Sequence, residues 1–323
     1  LNKASKLYRE LSNDELDKVI YNHFGENSQY QATLLSGGLF NTTYHILFIA
    51  TAEEVILRVG PVNRELLLPF EHNLMRAEEY VYQLMSEKSI PCSQVLVCDT
   101  SKVLIDRDYM IVACITSKPL SELELSEDVK AKLYYQVGRH TAKLHRITSS
   151  QFGRVSEIME GSGYTSWSEY LHNEMAAVCS ELINYSIFTS DEVNLCKLVL
   201  RRYEDILNEI QIPHLVHADL WAGNILVRKL NENYEVAAII DADRAIFGDI
   251  DYEFASPWII NEAFRNGYGQ IEKPSTNSEI RKNIYRLMYS LTDAYVWGVE
   301  YDNQENCTNN KESSLQMARE LLK

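Results

Sequence analysis

Asp219 and Asn224 stand in the stretch Val216-His217-Ala218-Asp219-Leu220-Trp221-Ala222-Gly223-Asn224-Ile225-Leu226-Val227, and Asp241 follows the apolar run 237–240. A His-x-Asp tripeptide, an Asn five residues past its Asp, and an apolar segment ending in another Asp supply what metal-assisted phosphoryl transfer needs. An amide oxygen and a carboxylate oxygen held together suit Mg²⁺, a hard cation that takes oxygen ligands and keeps substrate phosphates in its shell. Asn224 and Asp241 are therefore the expected metal ligands. Asp219 is the expected acceptor of a proton from an incoming hydroxyl. Taken singly, an Asp or Asn in a loop is more often a turn or cap residue; the joint spacing carries the reading. His217 is expected to brace the loop by hydrogen bonds rather than take part in chemistry.

These side chains need a scaffold that returns positions 224 and 241 to one place. Residues 225–228 and 236–240 read as short strands, and Leu230-Asn231-Glu232-Asn233 between them is polar and turn-rich. An antiparallel hairpin folded near Glu232 and Asn233 brings Asn224 and Asp241 side by side. Upstream, Ser36-Gly37-Gly38-Leu39-Phe40-Asn41-Thr42 separates two strand-like runs, 30–35 and 43–49. Gly37 and Gly38 let backbone amides approach a phosphate, with Ser36, Asn41 and Thr42 as side-chain donors. Gly-Gly between strands is also a plain hairpin turn. Arg58, on a third run over 54–59, is a cation placed to reach those phosphates. Glu78 lies at the edge of the apolar face of a helix over 71–87, where it can pair with a strand cation.

Periodicity divides the rest of the chain in two. Residues 7–24 read as an amphipathic helix, and further strands are expected at 94–98, 103–105 and 109–113. Thr116-Ser117-Lys118-Pro119 reads as a linker. Beyond it, helical spacing dominates at 127–145, 168–183, 191–209, 279–301 and from 311 onward, interrupted only by the hairpin. The expected fold is α+β, with a small β-rich lobe over 1–115 and a larger, mainly helical lobe over 116–323.

A formal charge of −15 argues against nucleic acid and anionic membranes as partners. No Lys or Arg lies between Arg154 and Lys197, yet Glu157, Glu160, Glu169, Glu174, Glu181, Asp191 and Glu192 do. A second such gap, from Arg286 to Lys311, holds Asp293, Glu300, Asp302 and Glu305. This is either a solvated acidic surface or a field that draws in a cationic acceptor. No apolar run is long enough to span a membrane, and residues 1–5 form no signal-peptide core. The six cysteines show no C-x-x-C pair and no His spacing suited to zinc, so reduced thiols in a cytoplasmic protein are expected.

With these motifs in hand, the chain resembles the aminoglycoside phosphotransferase and choline kinase-like family, the small-molecule branch of the protein kinase-like fold. The resemblance rests on Ser36 to Tyr44, on His217-Ala218-Asp219-Leu220-Trp221-Ala222-Gly223-Asn224-Ile225-Leu226, and on Ile240-Asp241-Ala242-Asp243-Arg244-Ala245 followed by Gly248-Asp249. Leu144-His145 at the end of the long helix also fits, so nearly the whole sequence is covered. The resemblance implies ATP or GTP as phosphate donor, with the Ser36–Thr42 turn over its phosphates and Mg²⁺ on Asn224 and Asp241. It implies that Arg58 fills a strand position often held by Lys, with Glu78 as helix partner. It further implies a hinge from Ala113 to Ile115 whose backbone meets adenine, and an Asp249 that buttresses the catalytic loop. Three positions depart from the family pattern: Arg58, Glu253 in place of a shorter Asp, and Ala218 in place of Gly.

The expected reaction is transfer of a nucleotide γ-phosphate to a hydroxyl of a small molecule, aminoglycoside-like or choline-like where the acceptor is cationic. Two readings of other classes compete. An aspartyl-phosphate hydrolase would use Asp241 as nucleophile with Asp243 beside it, leaving the His217–Asn224 segment unexplained. A non-catalytic nucleotide-binding module would bind without turnover, although all three catalytic-loop residues are present.

Overall fold

A computed structural model describes residues 5–35, 40–256, 258–269 and 276–323. Its first helix, α1 (Asn13–Phe24), is started by local chemistry. The Ser12 hydroxyl accepts the Glu15 N–H at 3.2 Å, and Glu15 accepts the Ser12 N–H at 2.9 Å. This capping box contributes about 1 kcal/mol. Leu7 and Leu11, expected inside the helix, reach the interior from an irregular lead-in instead.

Strands β1 (Tyr30–Leu34), β2 (Thr42–Phe48) and β3 (Glu54–Val59) precede helix α2 (Leu74–Glu87), and β4 (Val95–Asp99) and β5 (Tyr109–Ala113) follow it. They form one antiparallel sheet in the order β1-β2-β3-β5-β4. Period-two alternation sends Tyr44, Ile46, Phe48, Val55, Leu57 and Val59 to the face that packs on Leu16, Val19 and Ile20 of α1. The opposite face carries Ile56, Met110 and Val112, which meet Met75 of α2. The strand expected at 103–105 does not form, and Val103 is 87% exposed there. Helix α2 starts later than residue 71 because Asn73 turns left-handed and Pro69–Glu71 make a 3₁₀ turn before it.

The expected linker is fastened down. Its β6 (Lys118–Pro119) pairs with the catalytic hairpin, Lys118 opposite Val227. Then come α3 (Glu127–Leu144), β7 (Gly153–Arg154), α4 (Val155–Met159), α5 (Trp167–Asn184), α6 (Ser190–Arg202) and α7 (Glu204–Leu207). Next follow β8 (His214–Val216), the hairpin β9 (Ile225–Leu230) and β10 (Asn233–Ile239), β11 (Ile246–Gly248), α8 (Asp251–Ala255) and α9 (Glu262–Tyr268). Helix α10 (Thr276–Tyr295) passes through a π-turn at Val296–Glu300, and α11 (Gln304–Leu321) closes the described chain.

The helical lobe has two apolar centres. One joins α5, α6, α10 and α11; the other joins α2, α3, the hairpin and α9. Helices α3 and α9 touch backbone to backbone: a Cβ added at Gly138 would lie 2.1 Å from the Phe264 carbonyl oxygen. The result is an α+β protein of two lobes, with the hairpin between the sheet and the helices.

Candidate active site

The hairpin delivers the expected geometry. Ile225 faces Ile239 and Leu230 faces Asn233 across β9 and β10, with Asn231 in the left-handed region at the tight turn. A bulge between Val236 and Ala238 offsets the register. The Ile240 N–H donates to the Asn224 carbonyl at 2.9 Å, so Asn224 and Asp241 emerge at the same end. Asn224 is 3% exposed. Its Nδ2 donates to the Asp219 carbonyl at 2.9 Å and to Asp219 Oδ2 at 3.0 Å. That use of the amide nitrogen leaves Oδ1 as the free acceptor.

Asp241 sits at φ 58°, a strained conformation for a residue with a Cβ, and its N–H donates to the Tyr82 hydroxyl at 3.1 Å. Its Oδ1 accepts from Arg58 Nη2 at 2.5 Å. The other Arg58 amine, Nη1, donates to Glu78 Oε1 at 2.5 Å, and Tyr82 donates to that same oxygen at 2.5 Å. One guanidinium thus joins β3, α2 and the end of the hairpin. Burial pushes the Glu78 carboxyl up, against the pull of Arg58. Burial and Glu78 together push the Tyr82 phenol well up.

The loop before Asn224 is braced from behind. His217 is buried; its Nε2 lies 3.0 Å from the Ile240 carbonyl, while the Asp219 N–H donates to Nδ1 at 3.3 Å. With Nδ1 accepting, the proton on the ring is assigned to Nε2. The His217 N–H donates to Glu253 Oε2 at 2.8 Å, and His145 Nε2 is 3.5 Å from the same oxygen. Ala218 adopts φ 65°, the left-handed region where Gly is at home, and its carbonyl accepts from the Tyr289 hydroxyl at 3.3 Å. The buttress is therefore Glu253. Asp249 instead accepts from Arg281 Nε at 2.8 Å and the Tyr285 hydroxyl at 2.7 Å, tying α10 to the segment before α8.

Asp219 keeps some exposure, yet its surroundings are mostly protein. Burial, reinforced by Asp243 and Asp241 against the opposing pull of Arg244, pushes its carboxyl up to about 8. Arg244, which sequence reasoning passed over, donates to Glu71 Oε1 at 2.8 Å. Glu300, 0% exposed in the π-turn, has no hydrogen-bond partner on either carboxylate oxygen among the described residues. Burial, with Glu71 adding repulsion, pushes its carboxyl far up. Tyr82 was also passed over, although it stands one helical turn after Glu78. The Glu71–Arg244 pair was not legible, because its members lie far apart in the chain.

Ser36, Gly37 and Gly38 lie outside the described residues. Asn41 lines a narrow cleft with Gly60, Glu71 and Met75. Thr42 is not brought to that space: its hydroxyl donates to the Arg9 carbonyl at 2.9 Å and accepts from Arg107 at 3.1 Å. The Ala113 N–H donates to the Gln94 carbonyl at 2.9 Å, and the Cys114 N–H donates to the Glu54 carbonyl at 3.3 Å. Ile115, half-buried, follows them, and its carbonyl accepts the Ser117 hydroxyl at 2.9 Å.

A two-lobed α+β chain with Arg58 and Glu78 paired beneath the sheet, and Asp219, Asn224 and Asp241 gathered at the hairpin, has the architecture of the kinase-like phosphotransferases. The sequence matches the Phosphotransferase enzyme family over residues 31–272, and the chain belongs to that family. It is 24% identical over 231 residues to hygromycin-B 4-O-kinase of Escherichia coli, covering 68% of this chain and 63% of that protein. It is 23% identical over 177 residues to the chloroplastic protein-ribulosamine 3-kinase of Arabidopsis thaliana, covering 51% of this chain and 53% of that protein. The chain thus matches less than two thirds of the length of these relatives. Its fold is that of the aminoglycoside phosphotransferase APH(4)-Ia, solved as a thermostable mutant with AMP-PNP and hygromycin B. The TM-score is 0.65 at 18% identity, covering 94% of this chain and 98% of that one. No helix among the described residues is long and apolar enough to cross a membrane.

Proposed function

We propose that this protein is a magnesium-dependent small-molecule kinase that moves the γ-phosphate of ATP or GTP to a hydroxyl of a small acceptor. The observation that carries the proposal is the single guanidinium of Arg58, which joins Glu78 and Asp241 while Asn224 holds Asp219 close by. The donor set fits a hard divalent ion. Asn224 Oδ1 is left free by its amide's two hydrogen bonds, and Asp241 is partly open to solvent. Magnesium on these two oxygens would neutralise charge on the nucleotide phosphates.

The remaining work falls to the chain itself. Asp219 is assigned to orient the acceptor hydroxyl and take its proton, its carboxylate steadied by Asn224 and its loop by His217 and Glu253. Arg58 is assigned to the phosphates, with Glu78 fixing its direction. Backbone amides around Gly37, Gly38 and Asn41 are assigned to cover them, and the segment from Ala113 to Ile115 is assigned to meet the base. The lobes are taken to divide between residues 115 and 116, the first binding nucleotide and the second presenting the acceptor wall. Acidic residues along α5 and around α10 suit a cationic acceptor of the aminoglycoside or choline kind. A hydrolase built on Asp241 fares worse, because β10 is an edge strand of a small antiparallel sheet rather than the opening strand of a parallel one.

The test is a panel of hydroxylated metabolites and antibiotics, cationic and neutral, scored for acceptor-dependent release of ADP or GDP, with Asp219→Asn as control. Preference for uncharged acceptors would overturn the charge assignment. Nucleotide binding without turnover on any acceptor would overturn the kinase.

A further inference from the structure

We propose that His45, Glu54 and Cys114 form a second cation site, of zinc type, at the end of the five-stranded sheet where the chain leaves for the helical lobe. This inference does not depend on the phosphotransfer reading, although Cys114 lies within the segment from Ala113 to Ile115 whose backbone that reading assigns to the base.

Sequence spacing hides the site, because the three residues come from β2, β3 and the residue just past β5. Register brings them together. His45 faces Ile56 across β2 and β3, Glu54 lies two positions before Ile56, and Val55 faces Ala113 across β3 and β5. Alternation along each strand then places His45, Glu54 and Cys114 on one face, the face that also carries Ile56 and Val112. The Cys114 N–H bonds the Glu54 carbonyl at 3.3 Å, which pins the strand ends against each other.

The donor atoms match the chemistry. An imidazole nitrogen, a carboxylate oxygen and a thiol sulfur are the ligand types zinc takes, and they all lie within 4.8 Å of one another. His45 Nε2 and Glu54 Oε2 are 3.2 Å apart. Bonds of 2.0–2.3 Å in a tetrahedron put neighbouring ligands roughly 3.3–3.6 Å apart. The nitrogen–oxygen pair is therefore already spaced for one ion, and the Cys114 sulfur lies within 4.8 Å of both. Among the described residues this is the one such group of three. His45 and Cys114 are half-buried while Glu54 is exposed, so the site opens to solvent on one side, with water as fourth ligand. Binding forms a sulfur–metal bond and releases the Cys114 thiol proton to solvent. A soft thiolate excludes magnesium, which keeps this site distinct from the oxygen pair at the hairpin. An ion held here ties two strands to the segment entering the helical lobe, and so stabilises the folded chain in proportion to occupancy.

The test is titration of the metal-free full-length chain with Co²⁺, read by absorbance, followed by displacement with Zn²⁺. The expected result is a thiolate-to-cobalt charge-transfer band saturating at one equivalent, abolished by zinc and untouched by excess Mg²⁺. Cys114→Ser removes the band and the zinc-induced rise in melting temperature. Glu54→Gln, at an exposed position, keeps the band and weakens binding by about tenfold or more. Absence of the band in the unaltered protein overturns the proposal. A band of full strength in Cys114→Ser also overturns it, because the metal then sits on another thiol.

Discussion

Asp219→Asn preserves the size of the side chain and the Asn224 contact while removing the proton acceptor. Turnover is expected to fall by about 10²–10⁴-fold with nucleotide affinity unchanged, as read by product release and calorimetry. Arg58 makes a different prediction. An ammonium is a point donor and cannot fork between Glu78 and Asp241 as a guanidinium does. Arg58→Lys should lose about 1.5–3 kcal/mol of unfolding free energy, one charge-assisted hydrogen bond. Arg58→Ala should lose about 3–5 kcal/mol, because Glu78 is left buried without a cation. Urea unfolding separates the two. At this scale the sequence was most readable where spacing is short: Asp219, Asn224, Asp241 and Glu78 lie where local periodicity and one hairpin place them. Thr42 was misread, because its commitment to Arg9 and Arg107 depends on pieces of chain far from it. The choice of Glu253 over Asp249 as buttress also escaped, since reach rather than residue type decides which carboxylate meets His217.

Between elements, the contact of α3 with α9 sets two effects against each other. Gly138→Ala gains about 1 kcal/mol of helix propensity. The added carbon meets a main-chain oxygen that no rotamer change can move, and overpacking costs about 1–3 kcal/mol or more. Net destabilisation by thermal melting is the expected outcome. Glu253 joins α8 to the catalytic loop and to the end of α3. Burial alone would raise its carboxyl, but His145 and the His217 N–H outweigh burial and hold it below the usual range. Its contribution is complete above the ordinary carboxylate value of about 4.3 and is lost as pH falls through its lowered folded value. Glu253→Gln should therefore flatten the acid limb of a plot of melting temperature against pH. Element type was legible in most places because hydrophobic period declares it. Boundaries moved where caps and left-handed residues intervened, at Ser12 and Asn73. The linker's pairing with β9 was invisible, since two residues carry no period.

Across the whole molecule, Glu300 sits at a seam. Its carbonyl accepts the Lys6 N–H at 2.7 Å, and its side chain faces Glu71 from the first lobe. Its carboxyl is raised, so the folded chain keeps a proton that the unfolded chain gives up. Stability falls as pH climbs from the ordinary carboxylate value toward the folded one. Glu300→Gln should raise the melting temperature at alkaline pH and leave it unchanged at acid pH. The proposed acceptor wall carries its own prediction: if it is acidic as proposed, added salt should raise KM for a cationic acceptor and leave kcat unchanged. Architecture was legible because strands cluster before residue 115 and helices after it. Seams were not, since Arg244 and Glu71 find each other only once both lobes exist.

The positive charge of Arg58 lies against the oxygen of Asp241 on which the proposal places a divalent ion. Under the proposed assignment the side chain would act as a placeholder, keeping a carboxylate compensated until an ion arrived with nucleotide phosphates. Arg58 would then compete with bare magnesium for Asp241, whereas nucleotide phosphates bound together with the ion would offer the displaced guanidinium a new anion. Loading should therefore be ordered, the ion entering as part of the nucleotide complex. Calorimetry with magnesium alone should register weak heat, and Arg58→Met should strengthen it.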